Sequence, residues 1–544
     1  MNRNPGHSLL LVHGAFHTLD PDLPHADAVW IQGNRIRAVG AGDDLRPLVG
    51  PGTEVLDLQG RVALPAFTDA HVHLVEFATS LWTVSLAGTR SLEEALARVA
   101  EAAQGRPPGE WIVGQGWDRN LWPDPAFPRA SDLDRVALKH PVALDSKDMH
   151  TLWVNSLALR LAQVTSETSD PPGGEIVRDA QGKPSGILKE KPAKDLIHRV
   201  IQRPGPEQVK RSLEQAMEIA WSRGVTAMHA PEDVPAFRLL QDLHREGRLG
   251  LRVLAHLTEQ SVEGAMAAGI QSGFGDGRLR IGGVKVFLDG ALGSRTAEML
   301  EPYLTEPENR GIPVMTDEEL VALLLAASQS GIAGTIHAIG DRANRRALNA
   351  LQRVREDEAR RGLRPTDRRH RIEHVQLLHP DDLPRLAKLD VIASVQPSHA
   401  VADMEMAERY WGPMRCRTAY AYGSLWRSGA RLALGSDCPV EELSPLAGIH
   451  AAVTRRRPDG SPGPEGWNPQ ERLTVSQAVW GFTVGGAYAA GEENRRGTIT
   501  PGKLADLVVL SHDIFHLDPM DILQTEVVAT VFDGVVVYGR GNLE

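Results

Sequence analysis

The sequence predicts an α/β protein: a (β/α)8 TIM-like barrel carrying a small composite β-sandwich built from both termini. Three observations predict it. Both ends of the chain show only short β-prone runs, the long middle alternates amphipathic helices with short apolar strands, and metal-capable side chains recur at the ends of those strands.

At the N-terminal end, SLLLVHGAFHTLD, AVWIQGNRIRAVG with a turn at Gln32-Gly33-Asn34, and TEVLDLQGRVAL read as a small antiparallel sheet. LADLVVLSHDIF and VVATVFDGVVVYGR near the other end have the same character. The expectation is one β domain from residues 1–62 and 497–544 around a barrel at 63–496.

Within the middle, SLEEALARVAEAAQG is an amphipathic helix with a serine at its start and a glycine at its end. WIVGQGWD and PVALDSKDMH read as strands of the same alternation, and GGEIVRDAQGKPSGILKE as a hairpin insertion near 173–190. From PEQVKRSLEQAMEIAWSRG onward, helices and strands alternate again. REDEARRGLRPTDRRH reads as a solvated charged face, and RRRPDGSPGPEGWNP as a Pro/Gly-rich loop and candidate substrate lid.

Candidate chemistry begins at LPAFTDAHVHL. Residues two apart on a strand share a face, so His71 and His73 present two imidazoles together, half of a metal site. Later strand-like runs carry Lys285, His337, His374 and Asp437, and VIASVQPSHA ends with His399. In a parallel barrel such positions converge at the C-terminal mouth. His150, His229, Arg295 and His399 follow predicted strands and are expected to contact substrate; Trp117 and Asp118 also follow one, but are expected to pack a loop. Four of the metal candidates have structural alternatives: Lys285 could pair with Asp289, His374 could be held by Glu373 or by a backbone carbonyl, His337 could cap the following helix, and Asp437 could make a turn.

Composition narrows the partners. With 59 basic and 70 acidic side chains, a net charge of -11 and no basic patch, nucleic acid is not an expected partner. Two cysteines, Cys416 and Cys438, give no disulfide framework and suit a reducing cytoplasm. No apolar run reaches the length of a membrane span or a signal peptide. A homodimer stays open.

AFTDAHVHL, KVFLDGALGSRTA, IHAIGDRANR, RIEHVQ, LGSDCPV and GTITPGKLADLVVL, in this order, resemble the metal-dependent amidohydrolase superfamily, most closely its N-substituted formamide deformylase-like branch. The resemblance implies a divalent-metal site for one or two ions, with His71, His73 and Asp437 on one ion, His337 and His374 on the other, and Lys285 bridging. An ammonium has no lone pair, so such a lysine must be carboxylated or lose its proton. Zinc is favoured by imidazole-rich ligation, with manganese, iron and cobalt open. The implied reaction is hydrolysis of a non-peptide C–N bond in a small amide-like molecule by metal-activated hydroxide, with Asp437 as general base and then acid. Mononuclear deaminases of the superfamily place a glutamate where this chain reads His337-Ala-Ile-Gly-Asp341. Ester or lactone hydrolysis and a non-catalytic barrel remain as alternatives.

Overall fold

The computed structural model describes residues 7–543 apart from 125, 147–150, 173, 202–204 and 294. Two compact units emerge, one comprising Met1–Val75 with Glu214–Glu544 and the other Glu76–Leu213.

The larger unit contains an eight-stranded parallel sheet running in order from Phe67–Asp69 through Val225–Pro231, Arg252–Thr258, Leu279–Phe287, Gly334–Ala338, Arg371–His374 and Ile392–Val395 to Leu432–Leu434. Its ends are drawn together beyond the first and eighth strands. Ala70 N–H donates to Leu434 O (3.0 Å), Asp437 N–H to His71 O (2.7 Å) and His73 N–H to Cys438 O (2.9 Å). Gly435 makes this closure feasible, since a Cβ there would stand 2.5 Å from the His71 nitrogen. Asp69 reinforces it by accepting Ser436 N–H at 3.0 Å and Ser436 Oγ–H at 2.5 Å.

Strands from both termini build two facing sheets in the same unit. One orders Arg35–Gly40, Ala28–Gln32, Ser8–Val12 and Glu54–Asp57; the other orders Val535–Tyr538, Val527–Phe532, Leu507–Leu510, Val62–Pro65, Ala15–His17 and His25–Ala26. Val62–Pro65 pairs antiparallel with Leu507–Leu510. Alternation explains the unbroken SLLLV run. Leu9 and Leu11 enter the core shared with Leu507, Val509 and Val531, while Leu10 and Val12 pack on Ala28 and Leu45. A buried ion network fastens these sheets to the barrel: Arg252 Nε reaches Asp506 at 2.6 Å, and Arg252 and Arg278 reach Asp533 at 3.0 and 2.7 Å.

The second unit is a larger excursion than the hairpin expected at 173–190. Its six-stranded sheet runs Glu175–Arg178, Pro184–Lys189, Thr151–Val154, Val142–Ser146, Ile112–Trp117 and Val84–Ser85. Ile112–Trp117 and Val142–Ser146, read from sequence as part of the barrel alternation, belong here. The reason is local: after Val142–Ser146 the chain returns antiparallel as Thr151–Val154, which a parallel barrel does not do. Helix Leu92–Ala103 has the expected serine cap, Ser91 accepting Glu94 N–H at 3.1 Å.

One further reading is corrected. The charged stretch near 355–370 is not simply a solvated face, because Glu358 is buried and meets Ser328 Oγ (2.6 Å), Arg355 Nη1 (2.7 Å) and His370 Nε2 (2.8 Å). The Pro/Gly-rich loop is pinned at its base by buried Arg455, whose guanidinium donates to Trp467 O (3.0 Å) and Tyr420 O (3.1 Å). Among the described residues no helix is long and apolar enough to cross a membrane.

Candidate metal centre

The barrel brings His71, His73, Lys285, His337, His374, His399 and Asp437 to the ends of different strands or the residues just after them. Asp437 lies among three imidazoles. Its Oδ1 is 3.4 Å from His71 Nε2 and 3.3 Å from His73 Nε2, and its Oδ2 is 3.5 Å from His399 Nε2. The rings of His71 and His374 are 5.0 Å apart, and those of His337 and His374 are 4.5 Å apart. His71, His374 and Asp437 offer ligand atoms all within 4.8 Å of one another. That trio draws on both expected ligand sets.

The neighbours of each ring decide which nitrogen keeps a lone pair. His71 Nδ1 lies 3.0 Å from Glu373 Oε2, which places its Nε2 on the side of Asp437. His374 Nδ1 is 2.9 Å from Gln396 Oε1, which leaves its Nε2. His337 Nε2 is 3.1 Å from the Gly290 carbonyl, which leaves its Nδ1. Burial, together with the Lys285 charge, pushes His337 down to about 3, and burial with its ring neighbours holds His374 well below the ordinary imidazole range. Both rings are therefore neutral and able to ligate.

Lys285, near the end of the fourth strand, is buried, and its Nζ has no hydrogen-bond partner among the described residues. Asp289 does not pair with it; that carboxylate accepts the backbone N–H groups of Glu298 (2.9 Å) and Gly340 (2.8 Å). Burial lowers Lys285 to about 8 against the opposing pull of Glu373 and Asp437. Asp437 is held far below the usual carboxylate range because His71 and His73 outweigh the cost of its burial.

The substrate-contact expectations divide. His399 follows the seventh strand, and Gln376 Nε2 lies 3.1 Å from its Nδ1, an arrangement that turns an Nε2–H toward Asp437. His229 lies fully buried near the end of the second strand, its Nδ1 2.8 Å from Arg371 Nη1 and its Nε2 without a partner among the described residues. Arg295 is drawn to a loop carboxylate, its Nε 2.9 Å from Glu306 and its guanidinium over Tyr410. His150 lies outside the described residues. Trp117 sits in the core of the second unit with Trp122 and Trp153.

Sequence reasoning missed Glu373 as the partner of His71, along with Gln396, His256 and Arg371. The available signal was the acid immediately before His374 in RIEH; nothing local marked the others.

Residues 54–538 match the Amidohydrolase family. The chain belongs to that family. It is similar to the protein LONG AFTER FAR-RED 3 of Arabidopsis thaliana, at 34% identity over 97% of this chain and 91% of that one. It is also similar to the N-substituted formamide deformylase of Arthrobacter pascens, at 28% identity over 98% of each. Among solved structures, an uncharacterized metal-dependent hydrolase from Pyrococcus furiosus superposes with a TM-score of 0.75 at 29% identity, covering 93% of this chain and all of that one. As an amidohydrolase-family protein the chain is a hydrolase, and its parallel barrel with an added sheet domain is the fold of that structure.

Proposed function

We propose that this amidohydrolase-family chain uses a divalent cation to hydrolyse an amide-like, non-peptide C–N bond of a small molecule. One observation carries the reading. Buried His71 Nε2, Asp437 Oδ1 and Lys285 Nζ have no hydrogen bond among the described residues, yet they face one cluster with neutral His337 and His374. A donor set of imidazoles and a carboxylate left unsatisfied in this way fits a cation.

His71, His73 and Asp437 would hold one ion and His337 and His374 a second, with Lys285 between them as a carbamate or a neutral amine. Zinc suits this imidazole-rich set. When bound, the metal supplies Lewis acidity, lowering the pKa of a water and polarising a carbonyl. The proton is the task of Asp437. Its Oδ1 turns to His71 and His73, while Oδ2, facing His399, is placed to accept a proton from the attacking water and return it to the leaving nitrogen. An amine leaves poorly until protonated, so this return matters as much as the first transfer.

The deformylase relative suggests N-substituted formamides as the first compounds to assay. Purified protein is tested on these, on acylated amines, cyclic amides and lactones, with and without chelator. Chelator-sensitive release of an amine supports the reading; turnover confined to lactones, or turnover indifferent to chelation, overturns it.

A further inference from the structure

Beneath the histidine cluster, the barrel interior holds a charged side chain that none of the expected roles requires. Arg371 begins the sixth strand, is 1% exposed, and lies against three side chains: it forms an ion pair with Glu373, Oε1 2.7 Å from Nε though not aligned as a hydrogen bond, and its Nη1 and Nη2 meet His229 Nδ1, at 2.8 Å, and His256 Nε2. A guanidinium donates only. The His229 nitrogen facing it must therefore offer a lone pair, whereas His256, whose Nδ1 already accepts the Gly283 N–H at 2.9 Å, packs against the guanidinium without a second acceptor nitrogen to give, and the Glu373 carboxylate lies beside it as an ion-pair partner. Glu373 is fully buried, and its other oxygen is the one beside His71.

We infer that Arg371 is a positioning residue for the metal centre: its ion pair with Glu373 sets where that carboxylate sits, Glu373 stands in turn against the Nδ1 edge of His71, and the His71 ring is thereby held with Nε2 toward Asp437, left to ligate. The same guanidinium sets His229 as an Nε2–H donor. A planar fork can serve three partners at fixed angles, which a lysine cannot reproduce. Partners of metal-ligating histidines commonly tune affinity by about 10–100-fold. Arg371 stands one step farther out and acts through Glu373.

A cavity of about 230 Å³ has Arg371 in its wall and none of the candidate metal ligands. Leu254, His256, Arg280, Gly282, Arg369 and Arg371 are among its walls, several of them at strand beginnings. Gly282 lets the His256 ring lie against the backbone, since a Cβ there would stand 2.4 Å from His256 Nδ1. Because Arg371 is part of its wall, truncating that side chain should enlarge the cavity, and a small cation is the probe for the space vacated.

The inference rests on the metal-site reading above, and the two fail differently. Metal affinity is measured by chelator competition on folded wild type, Arg371→Ala, Glu373→Gln and the double variant. Wild type that binds no metal would defeat the site itself. If Arg371 acts through Glu373, each single change weakens binding on the order of 10–100-fold, the double variant is no weaker than the weaker single, and millimolar guanidinium restores Arg371→Ala but not the double variant. Additive losses, wild-type affinity in Arg371→Ala, or failure of guanidinium to restore it would overturn the inference. Should Arg371→Ala not fold, Arg371→Lys enters the same cycle with Glu373→Gln, and additive losses there likewise overturn it.

Discussion

Asp437 and His71 are joined twice: the Asp437 N–H donates to the His71 carbonyl at 2.7 Å, and Asp437 Oδ1 lies 3.4 Å from His71 Nε2. The first contact draws the barrel's first and eighth strands together and the second belongs to the candidate metal centre. The same two residues therefore serve barrel closure and the candidate ligand cluster.

His71→Ala should therefore lose metal and activity together, as removal of a direct ligand does. Metal content by elemental analysis alongside turnover decides this. Full activity in His71→Ala would remove His71 from the ligand set.

Asp437→Asn should separate the two properties. Asparagine keeps the shape and one oxygen ligand but carries no proton, so much of the metal should stay while kcat falls on the order of 10²-fold or more. Near-normal turnover in a metal-replete Asp437→Asn enzyme would move the proton transfer to His399 or His229.

Asp533 makes stability depend on pH in acid. Although burial opposes ionisation, Arg252 and Arg278 lower its pKa from 3.8 to about 2. A carboxyl depressed in the folded state stabilises fully above the unfolded value and loses that contribution as pH falls from about 4 toward 2, here about 2 kcal/mol. Asp533→Asn should be less stable at neutral pH and show a flatter decline across that acid window in denaturant titrations. An unchanged slope would mean that the pair contributes nothing.

The composite β domain from 1–62 and 497–544 is testable by truncation. Val62–Pro65 has Leu507–Leu510 on one side, and Val527–Phe532 continues the sheet. Removing residues from 527 onward should expose the N-terminal strands to protease well before the barrel is cut. A protease-resistant N-terminal segment in the truncated protein would argue for separate terminal domains.

Strand ends were readable because alternation and His-x-His are local properties, which is how His71, His73, Lys285, His337, His374 and Asp437 could be named beforehand. Glu373 and Arg371 were harder to read because their partners come from other strands, and only barrel register brings His71, His229 and His256 to them. The unit 76–213 escaped for a related reason. SLEEALARVAEAAQG followed by WIVGQGWD has the local pattern of a barrel unit, and the antiparallel pairing that sets it apart is visible only once Thr151–Val154 is placed.

The pairing of Pro65 with Leu507 also bears on biosynthesis. At about 5–20 residues per second, the two leave the ribosome on the order of a minute apart. Through that interval the apolar edge of Val62–Pro65 has no partner, and an unpaired strand edge invites association with other chains. The expected consequence is a yield that responds to chaperone supply and to the rate of elongation more than the finished fold's stability would suggest.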